Sequence, residues 1–452
     1  MNEKLSVRIY RVGFGDCIFL QVPDNGKMFT ILVDCGSSAG AVKILQPVVK
    51  HLVSSLPKVD GKPRLDLLVV THPHADHIKG FDPEWFDGVS IGRIWLTAFM
   101  KLDHPQASRA LAFDDAMDAA IRALQDRPRL QLSEGVKSLL SRNLANPGAL
   151  AALRGGFQPT IGRLYVARDI AGLLSSADQV SHAMSLENGI SCFRGFANKE
   201  TSIQILAPEW NIDSTYLGEF TAPNLDFQDT LIQKVEAFAS KPQVGEPATV
   251  GAAAGEAEYP SNISLGDFRM LKNSCLYSTL AFSQEDDSLK NNVSVVFLLN
   301  WRRKRLLFTG DAEWDGSGVV ENRNNSSWDV MLSNPQVEEL LSMPLDFYKV
   351  GHHGSRNGSP FDKQGVEKVL SRIASAERTH IVVSTKTGVH GEVNPVPLPE
   401  LMIELGKLAR NSRIYEDTHP SLKGVPQPQR TDHETISTEN GVDYLEVLIE
   451  AP

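Results

Sequence analysis

Cysteine is scarce: the 452 residues contain Cys17, Cys35, Cys192 and Cys275, and no two of them form a CxxC pair. This excludes a zinc ribbon and a thioredoxin-like redox motif. Cys17 and Cys35 lie in apolar, strand-like contexts and read as buried thiols. No stretch reaches the ~18 apolar residues of a membrane-spanning helix. The opening MNEKLSVRIYRVG has no charged-then-apolar leader, so the expected setting is reducing and cytoplasmic. Positive charge is also short, with 45 Lys and Arg against 55 Asp and Glu and a formal net charge of −10. Such a chain is not a general binder of nucleic acid or anionic membrane, although a local basic groove is compatible with it. No repeat of fixed period occurs, and low complexity is confined to 247–258.

What is present is a series of short apolar runs, several of which end in polar residues. Residues 5–22 read as a strand, a turn at Gly13, Gly15 and Asp16, and a second strand. MFTILVDC (28–35) is a third strand ending at Asp34, and a helix follows over 39–54. LDLLVV (65–70) is short and wholly apolar, which suits a strand buried on both faces, and it runs directly into THPHADH. Further strands are expected at 91–97, 202–207, 345–350, 380–385, 413–418 and 443–450. VSVVFLLNW (293–301) and KRLLFTGD (304–311) form a hairpin tipped by Arg302, Arg303, Lys304 and Arg305. That tip reads as a solvated turn, with contact to a polyanion as the alternative. Trp95, Trp301 and Trp314 have no regular spacing and read as packing residues.

Helical spacing appears at Leu111, Met117, Ile121 and Leu124, at Phe227, Leu231, Val235 and Phe238, and over 399–410. Residues 240–262 are rich in Pro, Gly, Ala and Glu and read as a mobile loop. Strands and helices alternate in each half, which predicts an α/β class with sheets covered by helices.

Chemistry concentrates in Thr71-His72-Pro73-His74-Ala75-Asp76-His77. Imidazole and carboxylate are the ligands that borderline divalent metals favour. On an extended strand exit, residues i and i+2 point the same way, so His72 and His74 can grip one ion. A turn into a helix would bring Asp76 and His77 toward a second. Three other strand ends echo this polarity: Asp34, Asp311 in LLFTGD, and His352-His353-Gly354-Ser355 after YKV. Sites collect at the carboxyl ends of strands in open α/β sheets. Asp311 is suited to bridge two cations, and one of the paired histidines to complete the second ion's shell.

HPHADH, TGD and HHGS, in this order after an ILVDCG strand, resemble the metallo-β-lactamase superfamily. Val12-Gly13-Phe14-Gly15-Asp16-Cys17 resembles the VGQGDS turn of one branch, the soluble hydrolase domain of the DNA-uptake protein ComEC and its stand-alone relatives. Asn292, Ser294, Val295 and Val296 match that branch's strand before TGD. The likeness spans 1–100, 200–210 and 290–420. It implies an αβ/βα sandwich, two mixed β-sheets flanked by helices, as a single domain over 1–452. Residues 105–200 would be a helical family-specific segment, and 209–290 an insertion containing the loop near 240–262.

Carried over by position, the resemblance implies His72 and His74 on one metal and Asp76 and His77 on the other. Asp311 would bridge them, and His353, with His352 as the alternative, would complete the second site. Asp34 and Asp16 would stand behind the ligands and orient them. The superfamily's middle histidine has no obvious counterpart; His104 and His182 are the candidates, and its absence would weaken the first ion's site, so that one occupied metal is an alternative to two. His390 would protonate the leaving group, and Ser355 and the Gly354 amide would hold an oxyanion.

The implied activity is that of a metal-dependent phosphodiesterase or nuclease acting on DNA or RNA through a metal-bound hydroxide held by Asp76. The cofactors would be two divalent ions, zinc or manganese. Expected partners are nucleic acid or a small phosphodiester, with a partner protein but no membrane. The acidic balance favours an alternative, hydrolysis of a small molecule such as a cyclic nucleotide, lactone or thioester. A third reading, a non-catalytic metal-binding partner module, is disfavoured because His72, His74, Asp76, His77, Asp311 and His353 are all retained.

Overall fold

The computed structural model describes residues 3–38, 41–100, 104–125, 190–218, 286–321, 323–374, 379–386, 395–408, 411–415 and 434–452. The expected helix at 226–239, the loop at 240–262 and most of the 105–200 segment lie outside the described residues, as do His182 and His390.

The strands of the first half are β1 (Lys4–Tyr10), β2 (Cys17–Asp24), β3 (Lys27–Cys35), β4 (Lys58–Val59), β5 (Lys62–Val70) and β6 (Ser90–Leu96). The second half holds β7 (Ser191–Phe193), β8 (Thr201–Ala207), β9 (Val296–Trp301), β10 (Lys304–Phe308), β11 (Phe347–Lys349), β12 (His380–Ser384) and β13 (Asn411–Tyr415). The chain closes with β14 (Glu434–Glu439) and β15 (Val442–Glu450). The principal helices are α1 (Ala41–Ser54), α2 (Ala75–Ile78), α3 (Ser108–Gln125), α4 (Ser327–Ser333), α5 (Pro335–Leu341) and α6 (Pro399–Leu408).

Two mixed sheets result. The first has the order β14-β15-β1-β2-β3-β5-β4, with β6 also on β5; the second runs β13-β12-β11-β10-β9-β8-β7. In each, an antiparallel half leads into a parallel one: β3, β5 and β6 in the first sheet, β10 to β13 in the second. The predicted αβ/βα sandwich is therefore the observed architecture. Three strands are not among the expected ones, the two-residue β4 being the shortest. β14 was not read as a strand, and β7 falls inside the segment expected to be helical, where three residues pair antiparallel with β8. So short an edge strand carries too little periodicity to be read from sequence.

The alternation of side chains explains the layering. Phe297, Leu299 and Trp301 of β9, with Leu306 and Phe308 of β10, face the core between the sheets. Val296, Leu298 and Leu307 face the other way, toward Trp328 and Met331 of α4, Val337 and Leu341 of α5, and Leu401 and Leu405 of α6. Each such fully buried large side chain contributes about 1.5–3 kcal/mol relative to exposure. Leu45, Val48, Val49 and Leu52 of α1 recur at helical spacing and are all buried on the first sheet. Trp301, fully buried, donates its indole N–H to Pro23 O at 3.0 Å and so joins the sheets.

The Arg302–Arg305 tip is spent on the fold. Arg302 pairs with Glu3 at 2.6 Å and Lys304 with Asp346 at 3.2 Å, while Arg305 donates to Met343 O at 2.7 Å. It also lies at the end of the β9–β10 hairpin opposite Asp311. The solvated-turn reading is the one that fits.

Candidate metal centre

The parallel strands decide where the polar residues meet. β3 and β5 run side by side in register from Ile31↔Leu67 to Val33↔Val69, so Asp34 and Thr71 emerge together. In the other sheet β10 pairs with β11, and β11 with β12, so Asp311, His353 and Ser384 leave at one edge. Val295 N donates to Thr71 O at 2.9 Å and Thr97 Oγ1 to Val293 O at 2.6 Å, which brings the two edges together.

Each imidazole is fixed by an oxygen on one nitrogen. Thr71 Oγ1 donates to Asp34 Oδ2 at 2.6 Å, so at 3.0 Å it accepts from His72 Nδ1. His77 Nδ1 lies 2.8 Å from Asp34 Oδ2, and His353 Nδ1 donates to Ser384 O at 3.0 Å. Their Nε2 atoms turn toward one carboxylate oxygen, Asp311 Oδ2, at 3.8 Å from His72, 3.2 Å from His77 and 3.7 Å from His353. His353 Nε2 is also 3.4 Å from Asp76 Oδ2. Asp311 Oδ1 accepts the His352 amide at 3.2 Å, and its own amide donates to Ser294 Oγ at 3.1 Å. Ligand atoms of His72, His77 and Asp311 fall within 4.8 Å of one another, and so do those of Asp76, His77 and His353.

Close backbone approach makes this possible. A Cβ on Gly36 would stand 2.2 Å from the Asp76 carbonyl carbon, so only glycine lets the β3 exit lie under α2. Asp34, His352 and His353 all adopt left-handed φ, of +54°, +46° and +52°. Non-glycine residues held there cost about 1–3 kcal/mol each and cluster at functional sites.

The residues fit a divalent cation. Burial and the neighbouring His77 hold the His72 pKa well below the ordinary histidine value, so its Nε2 offers a lone pair. Burial opposes the Asp311 charge, but His77 and His353 outweigh it and hold the carboxyl well below its usual range. Asp76 is lowered too, with burial overcome by His353 and His77. Burial likewise opposes a proton on His77, yet Asp311 and Asp34 raise its pKa well above normal. The buried Nε2 atoms of His77 and His353 make no hydrogen bond among the described residues. An imidazole nitrogen turned toward an ionised carboxylate is complete only with a proton or a cation between them, and the raised pKa of His77 shows the same demand met by a proton.

Residues 10–83 match the family model of the metallo-beta-lactamase superfamily. No curated protein matches the chain. The superfamily match spans β2, β3, α1, β5 and the histidine segment. Asp311 and His353 lie beyond it, and the fold brings them to the same place. Superfamily match and geometry together support a metal-dependent hydrolase with the metallo-β-lactamase fold.

The remaining sequence candidates divide. His74 Nδ1 lies 3.0 Å from His72 Nε2, on the side expected of it. His77 does not belong to one group alone; it stands between the His72 and Asp76 sets. His353 turns inward, whereas His352 Nδ1 lies 3.7 Å from Glu313 and its side chain is 24% exposed. His104 is not brought in: its ring lies tilted against Trp210, with centroids 3.9 Å apart, and its Nδ1 accepts the Gln106 amide. Gly354 N–H donates to Gly351 O and Ser355 Oγ to Asn357 Oδ1, so both expected oxyanion donors are already engaged.

Asp34 stands behind the candidate ligands His72 and His77. Asp16 does so through residues the sequence reading passed over. Its Oδ2 pairs with Lys349 Nζ at 3.0 Å and its Oδ1 accepts from Ser384 Oγ, the residue whose carbonyl holds His353. Lys349 and Ser384 were read only as parts of strands. A lysine inside an otherwise apolar run, FYKV, was the available signal. Asp287, beside His74, was missed because it lies at the end of a segment with no motif.

Proposed function

We propose that the chain is a metal-dependent phosphodiesterase, with DNA or RNA as its substrate. One observation carries the reading: His72, His77 and His353 turn their Nε2 atoms on Asp311 Oδ2, with Asp76 alongside. A pair of divalent ions, when bound, supplies an activated water and neutralises charge on a phosphoryl group. His72 and His74 would hold one ion and Asp76, His77 and His353 the other, with Asp311 within reach of both sets.

The protein's own groups do the rest. Asp76, kept ionised, would help to hold and orient a water at the centre. Asp34 and Ser384 O fix the tautomers of His77 and His353, so no ligand has to reorganise. Proton delivery to the leaving oxygen is assigned to His390. The location would be the cytoplasm, with a partner protein restricting the activity.

The acidic net charge supports a second reading, hydrolysis of a small molecule. Asp287 and Glu313 beside the centre add to it, because a polyanion would have to approach past them. The test is a substrate panel with zinc- or manganese-loaded protein: single-stranded, double-stranded and plasmid DNA, RNA, and a chromogenic small diester. Cleavage of nucleic acid that is lost in His72→Ala supports the nuclease. Cleavage of the small diester alone favours the second reading, and no hydrolysis of any kind refutes both.

A further inference from the structure

The helical stretch 286–292 belongs to none of the motifs and lies beyond the superfamily match, yet it reaches the metal centre. Asp287 Oδ1 lies 3.0 Å from His74 Nε2. Across the same ring, His74 Nδ1 lies 3.0 Å from His72 Nε2. A neutral imidazole carries one proton. The contact with Asp287 is a charge contact without hydrogen-bond geometry, since His74 Nε2 makes no hydrogen bond among the described residues; a carboxylate this near still favours a proton on Nε2 and leaves the Nδ1 lone pair turned to the side where His72 also points.

The described helical residues around Asp287 are held from both sides. Lys290 Nζ reaches Asp286 Oδ2 at 2.7 Å and Asp114 Oδ1 of α3 at 2.5 Å, all of them buried. On the opposite side, Ser288 Oγ donates to Glu313 Oε2 at 2.6 Å and Asn291 Nδ2 to Glu313 Oε1 at 2.8 Å. Leu289 packs with Phe113, Tyr216 and Val330 beneath. A short helix so clamped leaves Asp287 little freedom, although its side chain is 39% exposed.

We propose that Asp287 is a positioning residue that sets the tautomer and tilt of His74, so that the ion on the His72–His74 side depends on helix 286–292. The inference rests on the metal-dependent reading above.

Zinc titration of the metal-free full chain by calorimetry, for wild type, Asp287→Ala and Asp287→Glu, provides the test. Cobalt-substituted protein adds a visible spectrum that reports each site's ligand field. Wild type is expected to bind two ions. Asp287→Ala should weaken one of them by about 10–100-fold, with its cobalt bands altered and the other ion unchanged, and Asp287→Glu should recover part of the loss. An Asp287→Ala protein that binds both ions like wild type overturns this inference and leaves the metal centre standing. Equal weakening of both ions with a lowered melting temperature shows a structural role and also overturns it. A wild type that takes up no zinc overturns the metal-dependent reading as well.

Discussion

Asp34 Oδ2 lies 2.8 Å from His77 Nδ1, and the same carboxylate takes both the amide and the hydroxyl of Thr71, at 2.7 and 2.6 Å. One buried side chain at the end of β3 thus orients His77 directly and His72 through Thr71 Oγ1. Asp34→Ala should weaken zinc binding by about 10–100-fold. It should also destabilise the metal-free protein by about 1–3 kcal/mol, since the Thr71 donors are left buried and unpaired. Asp34→Asn should behave similarly, because its amide nitrogen would present a donor to donors. Calorimetric zinc affinity and a urea melt check both effects; retention of wild-type affinity in Asp34→Ala would remove Asp34 from the centre's support.

Lys349 is 1% exposed and its ammonium is shared between Asp16 Oδ2 and Val350 O, both at 3.0 Å. The pair joins the Gly13–Asp16 turn of one sheet to β11 of the other. Removing one partner of a buried pair strands the second charge, at a cost of about 3–5 kcal/mol. Lys349→Met should show that loss in urea unfolding, and Lys349→Met with Asp16→Leu should recover a large part of it. If the double variant is no more stable than Lys349→Met alone, the charge pairing is not what stabilises the junction.

Gly36 marks where the β3 exit passes beneath α2. Its hypothetical Cβ would meet Asp76 backbone atoms at 2.2 Å, and backbone cannot swing away as a side-chain tip can. Gly36→Ala should therefore displace Asp76 and His77 together and lower zinc affinity and hydrolysis in parallel. Gly26, at the β2–β3 turn, has open space around it and serves as the control position. Since its φ is +80°, Gly26→Asn is the fair comparison, and it should leave zinc binding unchanged.

How far the sequence exposes this arrangement depends on the range of the interaction. Strands β3, β5 and β10 are legible because burial on both faces leaves continuous apolar runs, and their polar ends stand out by contrast. The grouping of His72, Asp76, His77, Asp311 and His353 is legible because His72, Asp311 and His353 come two or three residues past such runs, and Asp76 and His77 share the segment of His72. Asp287 and Lys349 are not, because their meaning is purely tertiary. Asp287 matters through its distance from His74, 213 positions away in sequence, and Lys349 through a turn 333 positions away. Nothing local distinguishes Asp287 from a solvated charge, and the apolar run FYKV around Lys349 signals burial without naming its partner. His104 errs in the opposite direction: proximity to a strand end suggested a ligand, whereas its ring packs on Trp210.

Glu209 gives a pH-dependent prediction away from the metal centre. It is 4% exposed beside fully buried Tyr216, whose hydroxyl donates to Glu209 Oε2. Burial pushes the carboxyl pKa up from 4.5 to about 7, more than the Tyr216 hydrogen bond lowers it. The folded state then holds the proton more tightly than the unfolded state. The associated stability is fully present below the unfolded value near 4.5 and is lost as pH rises through about 7. A shift of that size corresponds to a loss on the order of 3 kcal/mol. Glu209→Gln keeps the shape and an acceptor for Tyr216 but has no proton to lose. Its stability should match wild type at pH 4.5 and exceed it increasingly up to pH 8, read as the difference between urea midpoints across that range. Midpoints that stay parallel from pH 4.5 to 8 would mean that Glu209 is ionised at neutral pH and that its charge is balanced within the fold.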